Sequence, residues 1–422
     1  MALFEHYIMV DWTGGNARKT GKPDAIWLAT GARSDVEPVI LNPASRTEAV
    51  RTVRDIVTPF ARGEDAGRVL VCFDFAYGYP RGLGSALAGT SAPWRRVWSR
   101  IAALVHDDIG TKAGRPPSNR SNRFDAADRI NEDLSPPGGP IGPFWCLFEP
   151  GSRRSVPQEQ PARPFALRGG GTLGAHRLTD VRAQADTPFR LFGNGSVGSQ
   201  VLTGLPCLER HRFDAALAGV SSVWPFETGW AATERWLPDG VRIVHAEIYP
   251  SVRPPLPDPI KDRGQVRAMW HWARDLDTAG TLVDAFAIPA GIVAGSQEDV
   301  AVRAEEGWIL GCPSSVKLDP QPTPPRRRRS AGVARDGEPG ELLTRAYGAA
   351  VRGARAGERR NLDVGSGGDR AAVGTRSVIR RLASCDPPPV SWTPPKARRC
   401  ARSCSWRKGK EGSSRRSSRP TQ

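Results

Sequence analysis

Segment 68–75 (RVLVCFDF) constrains this chain more than any other stretch. It is almost continuously apolar rather than alternating. That is the pattern of a strand covered on both faces, and such strands sit inside sheets beside parallel neighbours. A parallel neighbour needs a crossover of a dozen or more residues, usually a helix. One stands just upstream. Ser45 or Thr47 offers a capping hydroxyl, and Val50, Val53, Ile56, Val57 and Phe60 recur at spacings of three and four before Gly63. Ahead of that helix, 7–12 (YIMVDW), 25–30 (AIWLAT) and 36–41 (VEPVIL) are separated by polar, glycine-bearing links, which predicts an antiparallel meander of three strands. The sum is a β-β-β-α-β unit, with the fourth strand parallel to the first if the helix is the crossover between them.

Beyond residue 76 the pattern weakens. Segment 91–110 predicts an amphipathic helix with Trp94, Val97, Ile101 and Leu104 on one side, and 124–134 predicts another. Proline and glycine are frequent between them and through 135–175, so 76–240 is expected to be a large insertion, partly loop, between core elements. Regular structure returns with a strand at 241–249 (VRIVHAEIY). A helix over 262–277 carries Val266, Met269, Trp270 and Trp272, and an apolar helix over 281–294 should bend at Pro289.

The formal charge is +16, from 60 Lys/Arg against 44 Asp/Glu, but it is unevenly placed. Residues 319–422 hold 24 Lys/Arg and 9 Asp/Glu, whereas residues 1–318 hold 36 and 35. An electrostatic argument for gripping a polyanion therefore belongs to the tail alone. That tail, 313–422, is rich in Arg, Gly, Ser and Pro from 320–330 (PQPTPPRRRRS) onward, with apolar periodicity only near 341–352 and 375–382. Such a segment cannot bury enough surface to offset chain entropy and is expected to be disordered. The functional account is a nucleic-acid-binding arm; the preferred one is a plain disordered tail, for which translation from a shifted frame is one origin.

No apolar run approaches the roughly 20 residues that cross a bilayer, and residues 1–10 lack a signal-peptide pattern. A cytoplasmic chain without a membrane partner is expected. Its seven cysteines are odd in number and scattered. Cys400 and Cys404 form a C-x3-C, but the last histidine is His271, so reduced structural thiols are expected rather than zinc.

Chemistry concentrates at strand ends. Asp11 (VDWTGG) and Asp74 (CFDFAYGYP) each close an apolar strand, and if those strands are neighbours the carboxylates meet at one edge. Glu247 (HAEIYPS) lies in the strand from 241, and Asp284 (TLVDAFA) on the helix after it. Buried carboxylates repel one another and lose hydration, two costs that a hard divalent cation such as Mg²⁺ or Mn²⁺ removes. Paired ions of that kind activate water and stabilise the leaving oxygen of a phosphodiester. Taken singly, each acid could equally cap a helix or brace a turn, Asp74 at the GYP turn or Asp284 against Arg274.

These motifs, in this order, resemble an uncharacterised family of predicted ribonuclease H-like nucleases. The matching features are the acid closing strand one in VDWTGG, the acid before the turn in FDFAYGYP, the EIYPS segment and the late VDAFA helix, across about 1–310. The resemblance implies an α/β fold of ribonuclease H-like type: a mixed sheet of three antiparallel strands, then helix and parallel strand, here with a large insertion and a disordered C-terminal tail. It also implies metal ligation and catalysis by Asp11, Asp74, Glu247 and Asp284. Some similar chains carry names from cobalamin or molybdopterin biosynthesis, a link these residues do not explain.

Three other features bear on substrate. In 192–200 (FGNGSVGSQ), Gly193, Gly195 and Gly198 spell G-x-G-x-x-G, but DTPFRL before them is a poor strand and Pro206 should break the following helix early. A dinucleotide fingerprint, a loop of Gly193, Gly195 and Ser196 meeting a phosphate through its amides, and a plain turn all remain open. In 112–124, Lys112, Arg115, Arg120 and Arg123 form a cationic loop. Arg120 and Arg123 are candidates to position phosphate, against the plainer account of a solvated loop. His245 shares a strand face with Glu247 and could move a proton or simply be a hydrogen-bonded structural group, while Trp12 should face away from Asp11 and pack. The expectation is a metal-dependent phosphodiester hydrolase acting on nucleic acid or nucleotide. A nucleotide or phosphate-metabolite enzyme of cofactor biosynthesis is the first alternative, and a non-catalytic binding module the second.

Overall fold

The computed structural model describes residues 2–312 except 90–92, 194 and 234. The basic tail at 313–422, with Cys400 and Cys404, lies outside the described residues. In chain order the elements are β1 (His6–Asp11), β2 (Trp27–Ala32), β3 (Val39–Leu41), α1 (Arg46–Arg62) and β4 (Val69–Phe73). Then come α2 (Leu83–Ala88), α3 (Pro93–Leu104), α4 (Arg123–Leu134), β5 (Phe165–Ala166), β6 (Thr172–Leu173), α5 (Leu178–Ala183) and α6 (Gly198–Arg212). The described chain closes with β7 (Ser221–Val223), β8 (Ile243–Glu247), α7 (Lys261–Thr278), α8 (Val283–Phe286) and α9 (Gln297–Ala301).

The main sheet has six strands in the order β3-β2-β1-β4-β8-β7. β2 runs antiparallel to β1 and to β3, while β4 runs parallel to both β1 and β8, and β7 parallel to β8. The expected β-β-β-α-β unit is therefore present. Its crossover helix is capped by Ser45, whose hydroxyl accepts the Glu48 N–H, and is ended by Gly63 in the left-handed conformation.

Side-chain alternation divides the core into two layers. Ile8, Val10, Val71 and Phe73 face Val53 and Val57 of α1 and Val201 and Leu205 of α6. Tyr7, Met9, Leu70, Cys72, Val244 and Ala246 face Val266, Met269, Trp270 and Ala273 of α7. Each such side chain, fully withdrawn from water, contributes about 1.5–3 kcal/mol. One polar clamp ties the second layer together. The Asp277 carboxylate, in the last turn of α7, accepts the Leu3 and Phe4 N–H groups at 2.6 and 2.8 Å and the Tyr7 hydroxyl at 2.6 Å.

Three expectations fail for physical reasons. Segment 76–240 is not wholly an insertion, because it supplies the edge strand β7 and the core helix α6. That helix runs through Pro206, which costs a backbone hydrogen bond. Burial of Val201, Leu202, Leu205, Cys207 and Leu208 around it offsets the loss. The helix expected over 281–294 shrinks to α8, because Ala287 is already extended (ψ 165) and Ile288 precedes a proline, where helical backbone is disfavoured.

Candidate active site

Met9 pairs with Cys72 and Val10 with Phe73, and the Asp74 N–H donates to the Val10 carbonyl at 2.9 Å. Asp11 and Asp74 are therefore the next step of the same ladder. Both follow the parity of Met9 and Cys72, so both carboxylates emerge on the α7 side at the carboxyl edge of the sheet. Trp12, of opposite parity, packs against Phe73 and Phe75 as expected. A helix that follows a parallel strand starts at that same edge, and α7 brings Asp262 there in its first turn. The Asp262 carboxylate accepts the Asp24 N–H at 2.7 Å.

These three acids line a cleft of about 700 Å³. Among the described residues, the carboxylates of Asp11 and Asp74 make no hydrogen bond or ion pair. Burial drives the Asp11 carboxyl well above its ordinary value, with the charges of Asp74, Asp262 and Asp24 adding to it and Lys261 opposing. Burial pushes Asp74 up to about 8, helped by Glu247 and Asp262. Without a cation, the pair keeps a proton at neutral pH.

The opposite wall is built around the start of α6. Arg46, fully buried at the head of α1, grips Asp107 at 2.6 Å and donates to the carbonyls of Thr13 and Gly15, which fixes the turn after β1. Within that turn, a Cβ on Gly14 would fall 2.7 Å from the Ser199 Cβ and 2.8 Å from the Gln200 nitrogen, so only glycine lets the turn touch the helix. Gln200 donates to the Trp12 carbonyl, and Arg123 donates to Ser199 Oγ at 2.9 Å and to Asn16. Burial and the neighbouring Arg46 lower the Arg123 guanidinium to about 10, which leaves it charged at neutral pH. Gly193, Gly195 and Ser196 line the cleft as a loop leading into α6, the two glycines at φ 105 and 78. The segment before them makes one isolated bridge, Trp145 to Arg190, and no sheet strand, so the strand–turn–helix of a dinucleotide fingerprint is not formed.

Other expected site residues are placed elsewhere. Glu247 pairs in register with Phe73, and it lines a small pocket beside the cleft together with Asp74, whose carboxyl its charge helps to raise. There Arg177 grips it through two nitrogens at 2.6 and 2.7 Å, and the Tyr77 N–H donates to it at 2.9 Å. Arg177 also binds Asp180 at 2.7 Å, so one buried guanidinium holds two carboxylates. Asp284 is exposed and lies past the far end of α7, which spans roughly 24 Å from Asp262 to Thr278 at 1.5 Å per residue. Arg120 is exposed in its loop, apart from the residues that line the cleft, whereas Arg123 belongs to them. His245 shares the Glu247 face but stacks edge-on against His211 at 5.3 Å, and none of the four ring nitrogens has a hydrogen-bond partner.

The four-carboxylate shell is thus not assembled. Among the described residues no group of three or more His, Cys, Asp or Glu is arranged to hold a metal ion. What the cleft does offer a hard cation is two unpartnered carboxylates and a third acid, Asp262, close enough to disturb both. Asp262 escaped sequence reasoning because an acid in the first turn of a helix is ordinary. The usable signal was topological, the start of a helix directly after a parallel strand. No helix among the described residues is long and apolar enough to cross a membrane. No family model, curated protein or solved structure matches the chain.

Proposed function

We propose that this protein is a divalent-cation-dependent hydrolase of phosphoester bonds, with Asp11 and Asp74 as cation ligands and Asp262 completing the acidic floor. The observation that carries the proposal is the pair itself: two adjacent, mostly buried carboxylates with no internal partner, at the bottom of an open cleft. Such a pair is costly unless a cation or proton neutralises it. The strand order and the antiparallel start of the sheet support the ribonuclease H-like character implied by the sequence motifs.

A bound Mg²⁺ or Mn²⁺ would supply Lewis acidity and a water of lowered pKa. The chain's own groups do the rest. The first turn of α6 presents the positive end of its dipole to the cleft beside Gly193, Gly195 and Ser196, and Arg123 adds a fixed charge. Together these suit a phosphoryl group seated between that wall and the acids. Tyr249, on the rim, has its hydroxyl pKa raised by burial and stays protonated, able to donate a hydrogen bond.

A narrower reading makes the substrate a small phosphate metabolite. The cleft volume favours it, since about 700 Å³ is the size of a small-ligand site. So does the balance of 36 Lys/Arg against 35 Asp/Glu in residues 1–318, which gives no broad basic track. The test is hydrolysis of a phosphodiester such as bis(p-nitrophenyl) phosphate with Mn²⁺. Asp11→Asn and Asp74→Asn are each expected to abolish turnover while the far-ultraviolet spectrum is unchanged. Undiminished turnover in both variants would end the proposal.

A further inference from the structure

Resting on that assignment of the cleft, we propose that Phe192 and Phe148 form a stacking platform for an unpaired nucleobase whose phosphate occupies the acidic cleft. Among the exposed large hydrophobic side chains described, these two are the aromatic ones, at 41% and 65% exposure, and they touch each other at 5.1 Å. Their meeting is built in. Trp145 is fastened to 189–191 through the Trp145–Arg190 bridge, its N–H donating to Phe189 O and the Leu191 N–H donating to its carbonyl. That pairing carries Phe148 to Phe192 and holds both rings in water.

Every other phenylalanine side chain described is buried or half-buried. Exposing two rings together forfeits burial that either could have gained, so the pair marks a recognition surface. Its place says what it recognises. Phe192 lines the cleft and directly precedes Gly193, the start of the loop assigned above to the phosphate. A flat ring one residue from a phosphate-facing loop matches the short span between base and phosphate in a nucleotide. The two rings meet at 74° rather than stacking on each other, and Phe192 keeps 41% of its surface in water, where a base could lie against it. Stacking of this kind tolerates any base and requires that the base be unpaired.

The experiment is calorimetric titration in Mn²⁺ with adenosine 5′-monophosphate and with ribose 5-phosphate, which differ only by the base. A ten-nucleotide single strand and the same strand with one abasic position separate a polymer from a free nucleotide as the source of the base. The protein is expected to prefer the base-bearing member of at least one pair about tenfold, or ~1.4 kcal/mol. Phe192→Ala should remove that preference and Phe192→Trp should keep it, with ribose 5-phosphate affinity the same in all three proteins. Equal affinity within both pairs, absence of binding, or a preference that survives Phe192→Ala overturns the platform. Failure of the underlying site shows itself differently, as ribose 5-phosphate binding that is indifferent to Mn²⁺ and to Asp74→Asn.

Discussion

Replacing Asp74 by asparagine should stabilise this protein, and by an amount that depends on pH. The wild-type carboxyl lies near 8 in the fold, against 3.8 for the free group. Between those values the native state holds a proton that the unfolded chain has released, so stability falls as pH rises. The slope is about 1.4 kcal/mol per pH unit for one group. By pH 7 the accumulated loss is on the order of 4 kcal/mol, an upper figure because cleft water screens part of the charge. Asparagine has the shape of the neutral acid and cannot ionise, and the wild-type carboxylate has no partner to lose. The two proteins should therefore melt together near pH 4 and diverge by several degrees at pH 7–8, at about 2 °C per kcal/mol in a domain of this size. Saturating Mn²⁺ should narrow the gap, because wild type recovers about 2.7 kcal/mol at one hundred times Kd and the variant does not. Thermal melts at pH 4, 6 and 8, with and without Mn²⁺, make the measurement. A melting difference that stays flat across that range, or a variant less stable at pH 8, would refute the argument.

Three further outcomes follow from the same geometry. Arg177→Met leaves Glu247 and Asp180 buried without their cation and should cost about 3–5 kcal/mol in urea unfolding. An unchanged urea midpoint would mean that the ion network does not hold the fold. Gly14→Ala forces the turn after β1 off the first turn of α6 and should cost about 1–3 kcal/mol, together with a loss of Mn²⁺-dependent turnover larger than the stability change explains. Wild-type activity in that variant would show that the contact is slack. His211 is lowered to about 4 by burial, and His245 is lowered by burial and the neighbouring His211. Here the unfolded chain binds the protons first, so stability is lost as pH falls from about 6.5 toward 4, about 1.4 kcal/mol per unit for each ring. Phe substitution at both positions should flatten that acid limb in pH-dependent melts, and an unaltered limb would place its origin elsewhere.

What could be read in advance was whatever local pattern decides. The first five elements came out of their own periodicities, and the opposite facing of Asp11 and Trp12 follows from alternation within one strand. The adjacency of Asp11 and Asp74 needed only a right-handed crossover through α1. Glu247 required more. Its strand pairs with one about 170 residues earlier, and that register sets it level with Phe73, one step short of Asp74, where Arg177 takes its charge. Nothing near Glu247 in sequence encodes that register. Its charge is answered by Arg177, which lies in a stretch where proline and glycine erase the pattern. Asp284 misled because an apolar segment with helical spacing was carried past the point where Ala287 and the coming proline end it.

The Asp277 clamp has a bearing on how the molecule is made. The strand at the centre of the order leaves the ribosome before the other strands of its sheet, yet the group that fastens its beginning is synthesised more than 260 residues later. Until then β1 and β4 present one oily face with no helix to lie over it. At 5–20 residues per second that interval lasts on the order of ten seconds or more. A nascent chain of this design would need shelter during elongation, and one that stops short of α7 should be recovered from cells as aggregate.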